Sequence, residues 1–179
     1  GDISRRACLG VYDGHRYTGR RWRNGGKLVR PTMGTKMRTI QTTTLDIISD
    51  VVCPWCYIGK RRFERALALL DPELKLVIHW RAYELNPNMP IDGIETRTHY
   101  ARKFGSREQA RHLLDNITTN AHNDGLDMDY DKIVRVPNTI MAHRLIWYAS
   151  QRDKQGEIID ALFRAYFVTG QNIGDLEEL

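Results

Sequence analysis

The sequence predicts an α/β chain, a β-α-β unit followed by a helical segment, and three observations predict it. A β-branched run leads into two cysteines that open a helix-patterned stretch. A second run then alternates apolar and polar residues with period two. Beyond residue 93 the apolar residues recur at helical spacing. With 179 residues, 41% apolar and 27% charged, the chain has ordinary globular composition and length enough for one or two domains with a real core.

The first segment, residues 1–36, contains "GHRYTGRRWRNGGKLVRPTMGTK" and has too little apolar surface to offset chain entropy. It is expected to be disordered or a non-native leader, with Met37 as a natural start. It holds nine Lys/Arg against two acids, whereas residues 37–179 hold eighteen against twenty. The formal charge of +5 therefore belongs to the leader, and nucleic acid is not the expected partner, although Arg16, Arg20, Arg21 and Arg23 would carry such binding. The leader lacks the apolar stretch of a secretory signal, and Asn24-Gly25-Gly26 and the missing amphipathic stripe argue against a transit peptide. No segment reaches the roughly eighteen apolar residues that span a bilayer, so no membrane partner is expected.

"TTLDIIS", residues 43–49, reads as a strand. From Cys53 the period becomes helical, with Phe63, Ala66, Leu67 and Leu70 as the predicted apolar face, and Asp71-Pro72 stops the helix. "LKLVIHWRAYEL" follows, with Leu74, Leu76, Ile78, Trp80 and Ala82 on one face of a second strand. A β-α-β crossover makes the two strands parallel. "NPNMPIDG", residues 86–93, is an irregular exit, so residues 37–92 form the β-α-β portion and residues 93–179 a helical domain. Its stripes are Ala110, Leu113, Leu114, Ile117 and Ala121 behind a Ser106 cap with Glu108 in the first turn, then Ala142, Leu145, Ile146 and Ala149 behind Asn138. The last is Ile159, Leu162, Phe163 and Tyr166, ended by Gly170.

The chemistry concentrates in "CPWC". Cys53 falls at a helix N-terminus, where free N–H groups and the helix dipole favour a thiolate. Cys56, seven residues before Phe63, shares the predicted buried face and is expected to be shielded while Cys53 is exposed, an asymmetry that suits disulfide exchange. Pro54 is tolerated in the first turn, and Trp55 offers apolar surface to a peptide or small thiol at the mouth. A structural zinc site needs four ligands, and no second C-x-x-C or spaced His pair is present, so no metal is expected. Inert buried thiols are the other alternative, and a strand-to-helix junction is the redox context. Three cysteines, with Cys8 in the leader, are too few for a disulfide-stapled scaffold and favour a reducing compartment.

"DVVCPWCYIGKRRFERAL", "WRAYELNPNMP" and "NTIMAHRLIWYA", in this order, resemble the FrnE-type branch of the DsbA family from about Met37 to the last residue. The resemblance implies a thioredoxin-like fold with an inserted α-helical domain. It implies a thiol-disulfide oxidoreductase with Cys53 as nucleophile and Cys56 as resolving thiol, acting on protein or small-molecule thiols in the cytoplasm without a cofactor. The helix starting at Asn138-Thr139 and carrying His143 is similar to one that faces the active site in this branch, so Asn138, Thr139 and His143 are expected to contact substrate beside Pro54 and Trp55. Asp50 is expected to bond the loop's backbone or cap the helix. Family members complete the sheet after the helical insertion and set a cis-proline loop against the cysteines. No proline follows Pro137 here, so the C-terminal part of the sheet is expected to be missing and the insertion incomplete, with marginal stability as the consequence. Two other functions remain open: a glutathione-using isomerase of the 2-hydroxychromene-2-carboxylate type, which usually has serine where Cys53 stands, and a thioredoxin-like fragment serving as a binding module.

Overall fold

The computed structural model describes residues 41–179, which lie in one compact unit. The expectations for residues 1–36, Met37 and Cys8 fall outside the described residues. Strand β1 (Gln41–Ser49) turns at Asp50–Val52 into helix α1 (Pro54–Leu67), and β2 (Leu74–Ala82) returns beside β1. Their pairing is parallel, from Gln41 opposite Leu74 to Ser49 opposite Ala82. That is the geometry a helix crossover imposes. On the other edge of β2, the Gln155 side-chain amide accepts from Trp80 N (2.9 Å) and donates to Trp80 O (3.0 Å), imitating one rung of a strand ladder.

The helical segment is α2 (Thr96–Phe104), α3 (Arg107–Asn123), α4 (Ile140–Ser150) and α5 (Gln155–Phe167), with an antiparallel pair of two-residue strands, β3 (Ile94–Glu95) and β4 (Arg135–Val136). Ser106 caps α3 as its sequence predicts, accepting from Gln109 N at 3.1 Å. Helix α5 buries all four residues of its predicted stripe, together with Phe167. Gly170 has φ +74°, and a side chain there would collide with the carbonyl of Lys132, so only glycine fits.

The main core crosses the boundary at residues 92/93: Val51, Val52, Tyr57 and Ile58 pack with Ala121, Ile133, Phe163 and Tyr166. Tyr57 stacks on Phe163 with ring centroids 4.9 Å apart. Charges tie α1 to the helices on either side. Lys60, itself buried, pairs with Glu64 and with Asp160 of α5, while Arg62 and Arg65 grip the buried Asp124 at the end of α3.

The α1 stripe predicted from periodicity needs correction. Tyr57, Ile58 and Lys60 are its buried residues, whereas Phe63 and Leu67 are half-buried and Ala66 and Leu70 exposed. The helix enters the core by its first two turns, against α5. The Phe63 side instead lines an apolar hollow of about 270 Å³ with Leu45, Ile47, Ile48, Cys56 and Trp80. Among the described residues no helix is long and apolar enough to cross a membrane.

Candidate active site

Three backbone bonds shape the loop that carries the cysteines. Cys53 N donates to Asp50 O (3.1 Å), closing a turn at the end of β1, and Cys56 N and Tyr57 N donate to Cys53 O (3.1 and 3.2 Å), starting α1. Cys53 is thus the cap position with extended backbone, φ −90° and ψ 111°, and Pro54 takes the first helical position, where an N–H is not missed. Trp55 is 51% exposed beside them.

Both sulfurs belong to half-buried residues, so the expected contrast of an exposed Cys53 and a hidden Cys56 is not observed. The reason lies in the hollow: Cys56 does share a face with Phe63, and among the described residues that face is open. The contrast is instead one of charge. The two sulfurs share a proton, and the bond from the Cys53 thiol is the largest influence holding Cys56 down to about 6. Burial opposes it, while the Ser49 hydroxyl and the Asp50 backbone support it and the Asp50 charge opposes. Ser49 Oγ is buried and has no hydrogen-bond partner among the described residues. The same shared bond, then burial, raises Cys53, and the N–H groups of Cys56 and Trp55 pull the other way without forming a full capping bond. The dithiol therefore releases its first proton easily and holds its second, a property of the pair rather than of either sulfur.

Beneath the loop lies a buried polar pair. Asp50, 1% exposed, accepts from Leu85 N (2.7 Å) and more weakly from Val52 N (3.5 Å). His143 Nε2 lies 3.1 Å from Tyr83 O and 3.3 Å from Asp50 Oδ1. Both neighbours are acceptors, so Nε2 carries the hydrogen. Asp50 thus bonds the loop's backbone, as its sequence position suggests, and His143 brings α4 to the site from below. The Cys53 charge also reaches two buried phenols. Tyr100 is pushed up to about 12, by burial first and further by the Cys53 charge. Tyr130 is raised too, by burial first and then by the charges of Tyr100 and Cys53.

Asn138 and Thr139 are placed differently from a substrate contact. The Asn138 amide donates to Met89 O (2.7 Å) and accepts from Ile140 N (3.0 Å), so both ends hold backbone. Thr139 is 5% exposed, too buried to meet an incoming chain. Sequence reasoning missed the role of Ser49 as a hydroxyl facing Cys56. Its signal was position alone: it ends β1 four residues before Cys53.

A model of the DSBA-like thioredoxin domain matches residues 44–179. The chain is 33% identical to the probable DsbA oxidoreductase SCO1869 of Streptomyces coelicolor, whose crystal structure superposes with a TM-score of 0.65 over 75% of this chain and 58% of that one. It is also 25% identical over 138 residues to the uncharacterized protein YwbO of Bacillus subtilis (strain 168), a match spanning 77% of this chain and 63% of the relative. The chain thus spans about three-fifths of the length of each.

Proposed function

Because the chain belongs to the DSBA-like thioredoxin domain family, we propose that it is a thiol-disulfide oxidoreductase that exchanges a Cys53-Cys56 disulfide with protein or small-molecule thiols. The observation that carries this reading is the geometry of the C-x-x-C loop: two half-buried thiols at the start of α1, with Cys53 at the cap position and Cys56 N donating to Cys53 O. An acidic dithiol has a reactive thiolate near neutrality and is a good leaving group from a mixed disulfide.

In the reducing direction, Cys53 passes its proton to the Cys56 sulfur along their shared bond and attacks a substrate disulfide. The Cys53 sulfur forms a mixed disulfide, and one substrate thiolate leaves and takes a proton from solvent. Cys56 then loses its proton and attacks Cys53, closing the intramolecular disulfide and releasing the second substrate thiolate. The substrate gains two electrons and the dithiol loses two, and the reverse sequence oxidises a substrate dithiol. Pro54 and Trp55 are proposed to meet the substrate, while His143 with Asp50 positions the loop. We assign the chain to the FrnE-type branch and to the cytoplasm, readings supported by its three sequence blocks and its three cysteines.

Trapping tests the roles. With a peptide disulfide as substrate, Cys56→Ser should accumulate a mixed disulfide through Cys53, and Cys53→Ser should accumulate none and lose turnover. Accumulation on Cys56 in Cys53→Ser, with none in Cys56→Ser, would reverse the assignment. No mixed disulfide in either would end the oxidoreductase reading.

A further inference from the structure

A cavity of about 570 Å³ lies in the helical segment, between the first turn of α2, one face of α3 from Arg107 to Thr118 and the loop from Met128 to Val134. That is within the range of about 300–1,000 Å³ typical of small-molecule sites. Its floor is apolar and held by packing: Tyr100, Ala110, Met128 and Ile133 are all less than a tenth exposed. Two phenol rings form a corner there, since Tyr100 and Tyr130 stand 79° apart in plane with centroids separated by 6.1 Å. The hydroxyls of Tyr130 and of Thr96, the latter residue only 5% exposed, have no hydrogen-bond partner among the described residues. A buried hydroxyl left unpaired calls for another group to bond it.

The lining carries five carboxylates against three guanidiniums. Glu95 has the Arg97 charge beside it and caps α2, and Ser106 caps α3, so neither helix end is left to attract an anion. Lys132, outside the lining, answers Asp129 at 3.3 Å, and Arg107 and Glu108, neighbours at the start of α3, offset each other. What remains is Arg111, shared by Asp115 of α3 (3.4 Å) and Asp131 of the loop (3.6 Å). This array joins two walls of the cavity and holds one negative charge in excess. The Cys53 charge adds to the same sign where it reaches Tyr100 and Tyr130. A monocation balances such a lining, and the faces of phenol rings attract one.

We propose that this cavity binds a small organic monocation, an ammonium carried on an apolar body. The ammonium lies at the Tyr100–Tyr130 corner, within the field of Asp115 and Asp131. The body rests on Ala110 and Met128, with a polar group turned to the Thr96 and Tyr130 hydroxyls. Because the Cys53 charge is felt at the same floor, the site is electrically linked to the dithiol.

Calorimetric titration of the full chain with (4-hydroxyphenyl)trimethylammonium tests this, beside 4-tert-butylphenol, which has the same shape and hydroxyl without the charge. The cation should bind saturably, one to one, and about fivefold or more tighter than the neutral phenol. Asp131→Asn removes the excess charge and should weaken the cation about three- to tenfold. Its melting temperature should match the parent's, because an exposed ion pair contributes little to stability, so the weakening reports charge and not a damaged fold. The readout involves no turnover, and its failure would leave the oxidoreductase reading where it stands. The proposal is overturned if the cation does not saturate the chain, if the neutral phenol binds as tightly, or if Asp131→Asn holds the cation as well as the parent does.

Discussion

Ser49 and Asp50 set the proton affinity of the dithiol from opposite directions. The Ser49 hydroxyl favours the Cys56 thiolate, whereas the buried Asp50 charge disfavours it. Ser49→Ala should therefore raise the midpoint at which the first thiolate forms, and Asp50→Asn should lower it, both read from ultraviolet absorbance of the reduced protein. Shifts of the same sign in both variants would show that general loosening of the loop, not local charge, governs the sulfurs. Asp50 also holds Leu85 N and faces His143, so its substitution carries a second cost: an unsatisfied buried donor is worth about 1–3 kcal/mol. His143→Ala should destabilise the fold by a similar amount, about 1–3 kcal/mol in urea titration, because it strips the Tyr83 carbonyl and one Asp50 oxygen of a donor.

Helix α1 is the element that turns sequence into site, and its attachments are electrostatic as well as apolar. Burial pushes Asp124 up, but its bonds from Arg62 and Arg65 outweigh this and hold it below the usual carboxylate range. A carboxylate lowered on folding stabilises the protein above its unfolded value, near 4, and loses that contribution as pH falls through the folded value. Asp124→Asn should thus melt below the parent at pH 7, with the gap closing below about pH 4. A gap that persists unchanged at pH 3 would mean that the ion pairs contribute nothing. Most elements were legible because their periodicity is long: β1, α1, β2, α3, α4 and α5 all stand where apolar spacing puts them. Helix α2, "TRTHYARKF", was not, since it buries only Thr96 and Tyr100 and has no apolar stripe, and β3 and β4 are two residues each. The face of α1 was misjudged for a different reason. A stripe records what can be buried, and only packing decides whether something covers it. Likewise nothing local announces that Asp50 and His143 meet, or Lys60 and Asp160, because those pairs form across about half of the chain.

At the scale of the whole molecule, the β-α-β unit and the helical segment share one core, and the aromatic cluster between them is its centre. Phe163 is fully buried and stacks on Tyr57 and Phe167. Phe163→Ala should cost about 3–5 kcal/mol, lowering the urea midpoint of secondary structure and of the cysteine environment together. Separate transitions would mean that the two portions fold independently. This core holds α1 in place and so sets the protonation of the dithiol, which is what the proposed chemistry needs most. An alkylation rate is a poor gauge of it: a thiol lowered by three units has far more thiolate at neutral pH but is intrinsically less nucleophilic, leaving only about a three- to sixfold gain at pH 7. Thiolate absorbance near 240 nm, titrated on the reduced protein with Cys53→Ser, Cys56→Ser as blank, reads the ionisation directly. One thiolate should form with a midpoint of about 6 and the second should not form below pH 9. Two thiolates rising together near the ordinary cysteine value would contradict the acidic pair and, with it, the site.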